Sequence, residues 1–253
     1  MLTIATRFNG PPHSGNGGYV AGLLARRYFD FFEDVPDFAK IEVTLRKPPP
    51  LETGLAVKRL PDSSTLRLTH GNLLIAEADA VEFDPADDPG PVAGVGHDEA
   101  VTASRNHPGG TGGDHPFLTC FVCGPAHPTG LHVFPGAVDG LDRTVAAPWT
   151  PREGEVGEEF VWAALDCPGG WSPGDLSVRP MVLGRMSARV DRPPEAGAPH
   201  VVMGRHVRTE GRTSFTESAL YGPDGELVAR AEAVWIAVDP ATVRPDGFIA
   251  PGP

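Results

Sequence analysis

The stretch FNGPPHSGNGGYVAGLLARRYFDFF, residues 8–32, opens as turn and closes as helix. Its first part, residues 8–18, is rich in Gly, Pro, Asn and Ser and cannot stay regular for long. From Tyr19 onward, Val20, Leu23, Leu24, Tyr28 and Phe31 recur at near-helical spacing. That spacing predicts a buried helix reached through a glycine-rich loop. The period then switches to two. AKIEVTLRK, residues 39–47, alternates Ile41, Val43 and Leu45 and is stopped by Pro48, Pro49 and Pro50. GLAVKRL, STLRLTH and LLIAEADAVEF follow as three more strand-like runs. The first part of the chain therefore reads as a helix and a four-stranded antiparallel meander.

Residues 85–116 break this pattern and read as a linker, with a short helix around 99–105. The second half then repeats the first. GLHVF and DRTVAAPW are strand candidates, and FVWAAL reads as a strand meeting a glycine-gated turn, DCPGGW, at the start of a second helix. VLGRMSARV, HVVMGRHV, TSFTESALYG and ELVARAEAVWIAV supply four strands in the same order. Two anchors set the register. Gly17-Gly18-Tyr19 matches Gly169-Gly170-Trp171 at an offset of 169 − 17 = 152. Ala78-Asp79-Ala80-Val81 matches Ala231-Glu232-Ala233-Val234 at an offset of 231 − 78 = 153. The chain divides on this reading into a first repeat (1–84), a linker (85–116) and a second repeat (117–253). One sheet around one helix leaves an edge and a face bare, and a second copy covers them.

Composition narrows the function classes. With 33 acidic and 21 basic side chains the net charge is −12, which argues against sequence-independent binding to nucleic acid or to an anionic membrane. The N-terminal residues lack a signal-peptide pattern, and no apolar run reaches bilayer length, so the cytoplasm is the expected compartment. Three cysteines, an odd count without an export signal, do not suggest a disulfide framework.

A glycine-gated apolar helix followed by an antiparallel meander, present twice, resembles the double hotdog proteins. These are largely acyl-CoA or acyl-carrier-protein thioesterases and dehydratases. CFVCGPAHPTGLHVF, residues 120–134, is similar to the segment that opens many hotdog thioesterase-like proteins. VWAALDCPGGW, residues 161–171, is similar to their strand-to-helix junction with its acid at the catalytic position. The resemblance implies an α+β tandem hotdog of two antiparallel sheets, each wrapped around a central helix. It implies hydrolysis of an acyl thioester, with coenzyme A or phosphopantetheine entering as part of the substrate and no other cofactor. Exposed sheet edges would pair two copies into a homodimer. No Asp and His stand at the dehydratase spacing. The alternatives are a lyase, isomerase or cyclase of the same fold, and a non-catalytic acyl-CoA or lipid-binding module.

Asp166 is the foremost candidate. A carboxylate there would be desolvated and close to the free N–H groups of a helix start, and would act as general base or nucleophile on a thioester. The alternative is a helix N-cap. Gly17, Gly18, Gly169 and Gly170 would let backbone amides approach a thioester oxygen as charge develops, or would merely permit tight turns. Asn16 would orient water or the carbonyl, and Ser14 and His13 belong to the same junction, where turn and cap chemistry is the competing role. Cys120, Cys123, His127 and His132 have the count for tetrahedral zinc, but strand alternation in GLHVF turns His132 away, and no metal is assigned. Cys167 reads as a packed small residue. Arg205, His206, Arg208 and Arg212 form a local basic group that would meet carrier phosphates or else simply face solvent.

Overall fold

The computed structural model describes residues 1–33, 35, 39–81, 90–110 and 115–242. A first half runs helix α1 (Gly17–Phe31), then strands β1 (Lys40–Leu45), β2 (Ala56–Arg59), β3 (Leu66–His70) and β4 (Leu73–Val81). Helix α2 (His97–Arg105), β5 (Gly136–Ala137) and β6 (Thr144–Trp149) follow. The second half runs helix α3 (Glu158–Trp171), β7 (Met181–Val190), β8 (His200–Glu210), β9 (Thr213–Tyr221) and β10 (Leu227–Ala237). No helix among the described residues is long and apolar enough to cross a membrane.

The strands form one antiparallel sheet in the order β2-β3-β4-β1-β7-β10-β9-β8-β6-β5. This corrects the expectation of two sheets. The halves are continuous because β1 pairs with β7, Ile41 opposite Ala188 and Val43 opposite Met186. Each half carries the same strand order outward from that seam: β1-β4-β3-β2 on one side and β7-β10-β9-β8 on the other. The alternation visible in the sequence becomes the core here. Ile41 and Val43 are flanked by Ala80 and Ala78 of β4 as well as by β7, and all of these but Ala80 are fully buried. Glu42, on the opposite face, meets Arg185 and Ser187 across the seam.

Both long helices lie against the sheet and against each other, α1 over β1, β3, β4 and β7, and α3 over β6 to β10. α3 is the central element, with every residue from Glu159 to Trp171 buried. A helix apolar all round has no polar stripe to betray its period, and that is why FVWAAL reads as a strand in the sequence. The segment is helical instead, with Glu158 and Glu159 in its first turn, where acidic groups suit the helix dipole. Pro168 does not end it; the helix continues to Trp171, and Ser172 N–H donates to Pro168 O at 3.1 Å. In α1, Val20, Leu24 and Tyr28 are buried as expected, whereas Phe31 is 40% exposed.

One further expectation changes. GLHVF is not a strand; it lies in a loop held by Leu131 N–H to Phe121 O (2.7 Å) and Val133 N–H to Val122 O (2.9 Å). The short helix expected within the stretch read as a linker is present as α2, and it packs on β5, β6 and β8. Ala100 and Ala103 of α2 join Ala146, Val201 and Met203 in a second small core, while Val202 belongs to the main core. Neighbours on β8 thus point to opposite faces, so α2 covers the side of the sheet that α3 does not.

α3 rests on β8 at Gly204. A Cβ there would lie 2.2 Å from Pro168 O and 2.4 Å from its carbonyl carbon. Gly204→Ala is therefore expected to destabilise the fold by about 1–3 kcal/mol through overpacking. Denaturant unfolding at equilibrium measures it, and an unchanged midpoint would contradict this packing.

Candidate active site

Asp166 lies in the interior of α3, not at a helix start. The free amides beside it belong to α1. Its Oδ2 accepts from Gly18 N–H and from Asn16 Nδ2, each at 3.0 Å, while Oδ1 is buried with no partner among the described residues. The approach is close because α1 presents glycine to α3. A Cβ on Gly18 would fall 2.5 Å from Asp166 Cβ and 2.6 Å from Trp162 O. One turn on, a Cβ on Gly22 would meet Glu159 Cα at 2.7 Å. The pair Gly18 and Gly22, four residues apart, gives α1 a smooth face on which the Glu159–Trp162–Asp166 row of α3 rests.

Asn16 is the N-cap of α1, and its Oδ1 accepts from Tyr19 N–H at 2.8 Å. That bond fixes the amide orientation and leaves Nδ2 for Asp166, with Cys120 Sγ at 3.9 Å. Asn16, expected to orient water or a carbonyl, thus donates its amide to the carboxylate. Val20 N–H donates to Asn16 O, so three of the first four α1 amides are used. Gly17 N–H has no partner among the described residues.

Loop packing brings these groups together. Phe8 stacks on Tyr19 with centroids 4.0 Å apart and meets Phe121 edge-on at 5.0 Å. Phe121 N–H donates to Asn9 O at 2.7 Å. The glycine-rich loop and the loop carrying Cys120 and Cys123 are thereby locked over the α1–α3 contact.

Asp166 borders a cavity of about 510 Å³. Its inner wall is apolar, with Leu45, Met181, Leu183, Trp235 and Ile236, and Arg46 and Lys47 also line it. Burial raises the Asp166 carboxyl from 3.8 to about 7, although the Gly18 amide and the Asn16 side chain pull the other way. Asp166 is thus a carboxyl that changes charge near neutrality beside an apolar chamber.

No protein-family model matches the chain, and no curated protein does. Solved structures do. A conserved protein with a hot dog fold from Alicyclobacillus acidocaldarius is 10% identical with a TM-score of 0.53, over 89% of this chain and 88% of that one. The chain has a hotdog fold. A tesB protein of Mycobacterium avium subs paratuberculosis is similar at 11% identity and TM-score 0.57, covering 90% and 89% of the two chains. An acyl-CoA thioesterase II from Mycobacterium marinum is similar at 12% identity and TM-score 0.53, covering 94% and 92%. At such identities the likeness establishes the hotdog architecture alone.

Within this hotdog fold the other candidates separate. Ser14 is buried and His13 exposed, and both line the cavity with Gly17. Gly169 and Gly170 do not. They close the C-terminal turn of α3, where added Cβ atoms would strike Thr216 Oγ1 at 2.8 Å and the Trp235 ring at 2.7 Å. They are packing glycines, and the 152-residue anchor joins the start of α1 to the end of α3, positions that do not correspond. The 153-residue anchor lies on β4 and β10, the strands paired with β1 and β7. The basic group is dispersed: Arg205 pairs with Glu217, Arg208 with Glu210, and none of its members borders the cavity. The zinc pattern also fails. His127 Nε2 meets Arg7 O at 2.7 Å while its Nδ1 accepts from Thr129 N–H at 3.2 Å, and His132 Nε2 meets His127 O at 2.8 Å. Sequence reasoning missed Gly22, Arg46 and Lys47. The Gly18/Gly22 spacing was a usable signal for close helix packing; nothing local marks Arg46 and Lys47, just before Pro48, as a cavity wall.

Proposed function

We propose that this chain hydrolyses an acyl thioester carried on coenzyme A or a carrier protein, with Asp166 as general base. The observation that carries the proposal is a buried carboxyl, raised to about 7, held through one oxygen on the wall of an apolar cavity. Its second oxygen, Oδ1, takes a proton from water as the water oxygen bonds the acyl carbon. Gly17 N–H, at the positive end of α1, meets the oxyanion of the tetrahedral intermediate. The carbon–sulfur bond then breaks, and the departing thiolate leaves with the proton Asp166 returns. Asn16 positions the carboxylate. The acyl chain occupies the wall of Leu45, Leu183 and Ile236, and Lys47 and His13 face the carrier. The similarity to solved thioesterase structures is consistent with this reading.

Thiol release from a panel of acyl-CoA and acyl-carrier-protein thioesters tests it. Turnover of apolar acyl groups is expected. Tight binding without thiol release would replace the hydrolase with a binding module.

A base must be ionised to work, so the rate should rise with pH and level off above about 7. Below that the slope should be roughly tenfold per unit. A kcat profile measured with a chelator present checks this, and a flat profile between the ordinary carboxyl range and neutrality would rule Asp166 out as base.

A further inference from the structure

Cys120, Cys123 and Cys167 are all free and buried, and their three sulfur atoms lie within 4.8 Å of one another. Cys120 and Cys167 stand 3.9 Å apart. All three line the same cavity. Tetrahedral zinc with Zn–S bonds of about 2.3 Å needs sulfur atoms about 3.8 Å apart. One pair already has that spacing, and shifts of no more than about 1 Å bring in the third.

We propose that the three thiols form a site for a thiophilic divalent cation, Zn²⁺, with the fourth position filled by water from the cavity. Soft sulfur ligands select such ions over Mg²⁺ or Ca²⁺. The ligand set differs from the Cys-Cys-His-His pattern of the sequence, because both of those histidines are committed elsewhere. Buried His115 is excluded as the fourth ligand by its own chemistry. Its Nδ1 accepts from Phe117 N–H at 3.0 Å, so Nε2 carries the proton and has no lone pair to give. Binding releases the thiol protons to solvent, so affinity should rise with pH. The inference does not depend on thioester hydrolysis.

The test is a Co²⁺ titration of the reduced, chelator-stripped full chain without oxygen. Sulfur-to-cobalt charge-transfer absorption and tetrahedral visible bands should saturate at a single equivalent and disappear on adding Zn²⁺. Cys120→Ser and Cys167→Ser should each weaken Zn²⁺ binding by about tenfold or more, and the double variant should lose the bands. If those variants fail to fold, thiol alkylation of the wild type counted by mass spectrometry decides the matter, with Zn²⁺ expected to protect all three cysteines together. Absent charge-transfer bands, bands undiminished in a folded double variant, or no protection by Zn²⁺ would each overturn the site.

Discussion

Asp166→Asn should lower thioester hydrolysis by about 10²–10⁴-fold, the usual contribution of a positioned general base, and leave the fold intact. The variant oxygen accepts from Gly18 N–H and Asn16 Nδ2 as Oδ2 does, and its amide nitrogen replaces Oδ1, which has no partner to lose. Stability should move the opposite way. The folded carboxyl titrates near 7 instead of 3.8, so the folded state binds the proton more tightly than the unfolded chain. The wild type therefore loses stability as pH rises through that window, and Asn does not. Above about 7 the variant should melt higher than the wild type; below 3.8 the two should coincide. Less activity with more stability is the signature of a buried charge kept for function. A variant with wild-type turnover, or one less stable at alkaline pH, would remove Asp166 from the mechanism.

Gly18→Ala should damage stability and activity together. Its methyl has no room: Asp166 Cβ and Trp162 O stand 2.5 and 2.6 Å from where it would sit. Overpacking of this kind costs about 1–3 kcal/mol, or a melting shift of about 2–4 °C for each kcal/mol in a chain of this size. The displaced amide also withdraws a hydrogen bond that favours the ionised carboxyl, so the pH limb of the surviving activity should move upward. Gly22→Ala is the matched control. It crowds Glu159 and Trp162 equally but one turn from the carboxyl, so it should destabilise without moving the pH limb. Equal pH profiles in the two variants would mean that the Gly18 amide does not tune Asp166.

The strands were readable because half-buried strands alternate: Ile41 and Val43 inward, Glu42 outward. The helix holding the candidate acid was not, because α3 is buried on every side and Pro168 mimics a stop. Asp166 was nonetheless legible as a residue of interest, since a carboxylate in an apolar run demands an explanation. Its partners were harder to see. The reading placed it beside the amides of its own helix, whereas contact comes from Gly18, 148 residues away. Gly17-Gly18 and Gly169-Gly170 look alike in sequence, yet the first starts a helix and the second ends one. That distinction depends on what each glycine touches, here Asp166 in one case and Trp235 in the other. The convergence of three cysteines is likewise a product of α3 meeting a distant loop, with Cys120 and Cys167 separated by 47 positions.

The most direct test of the account is a crystal structure with a non-hydrolysable ketone analogue of an acyl-CoA, in which a methylene replaces the thioester sulfur and the carbonyl is kept. The analogue should lie in the 510 Å³ cavity with its carbonyl at the Gly17 amide and one water between its acyl carbon and Asp166 Oδ1. An analogue seated away from α1, with Asp166 sealed behind it and no water in reach, would contradict the account.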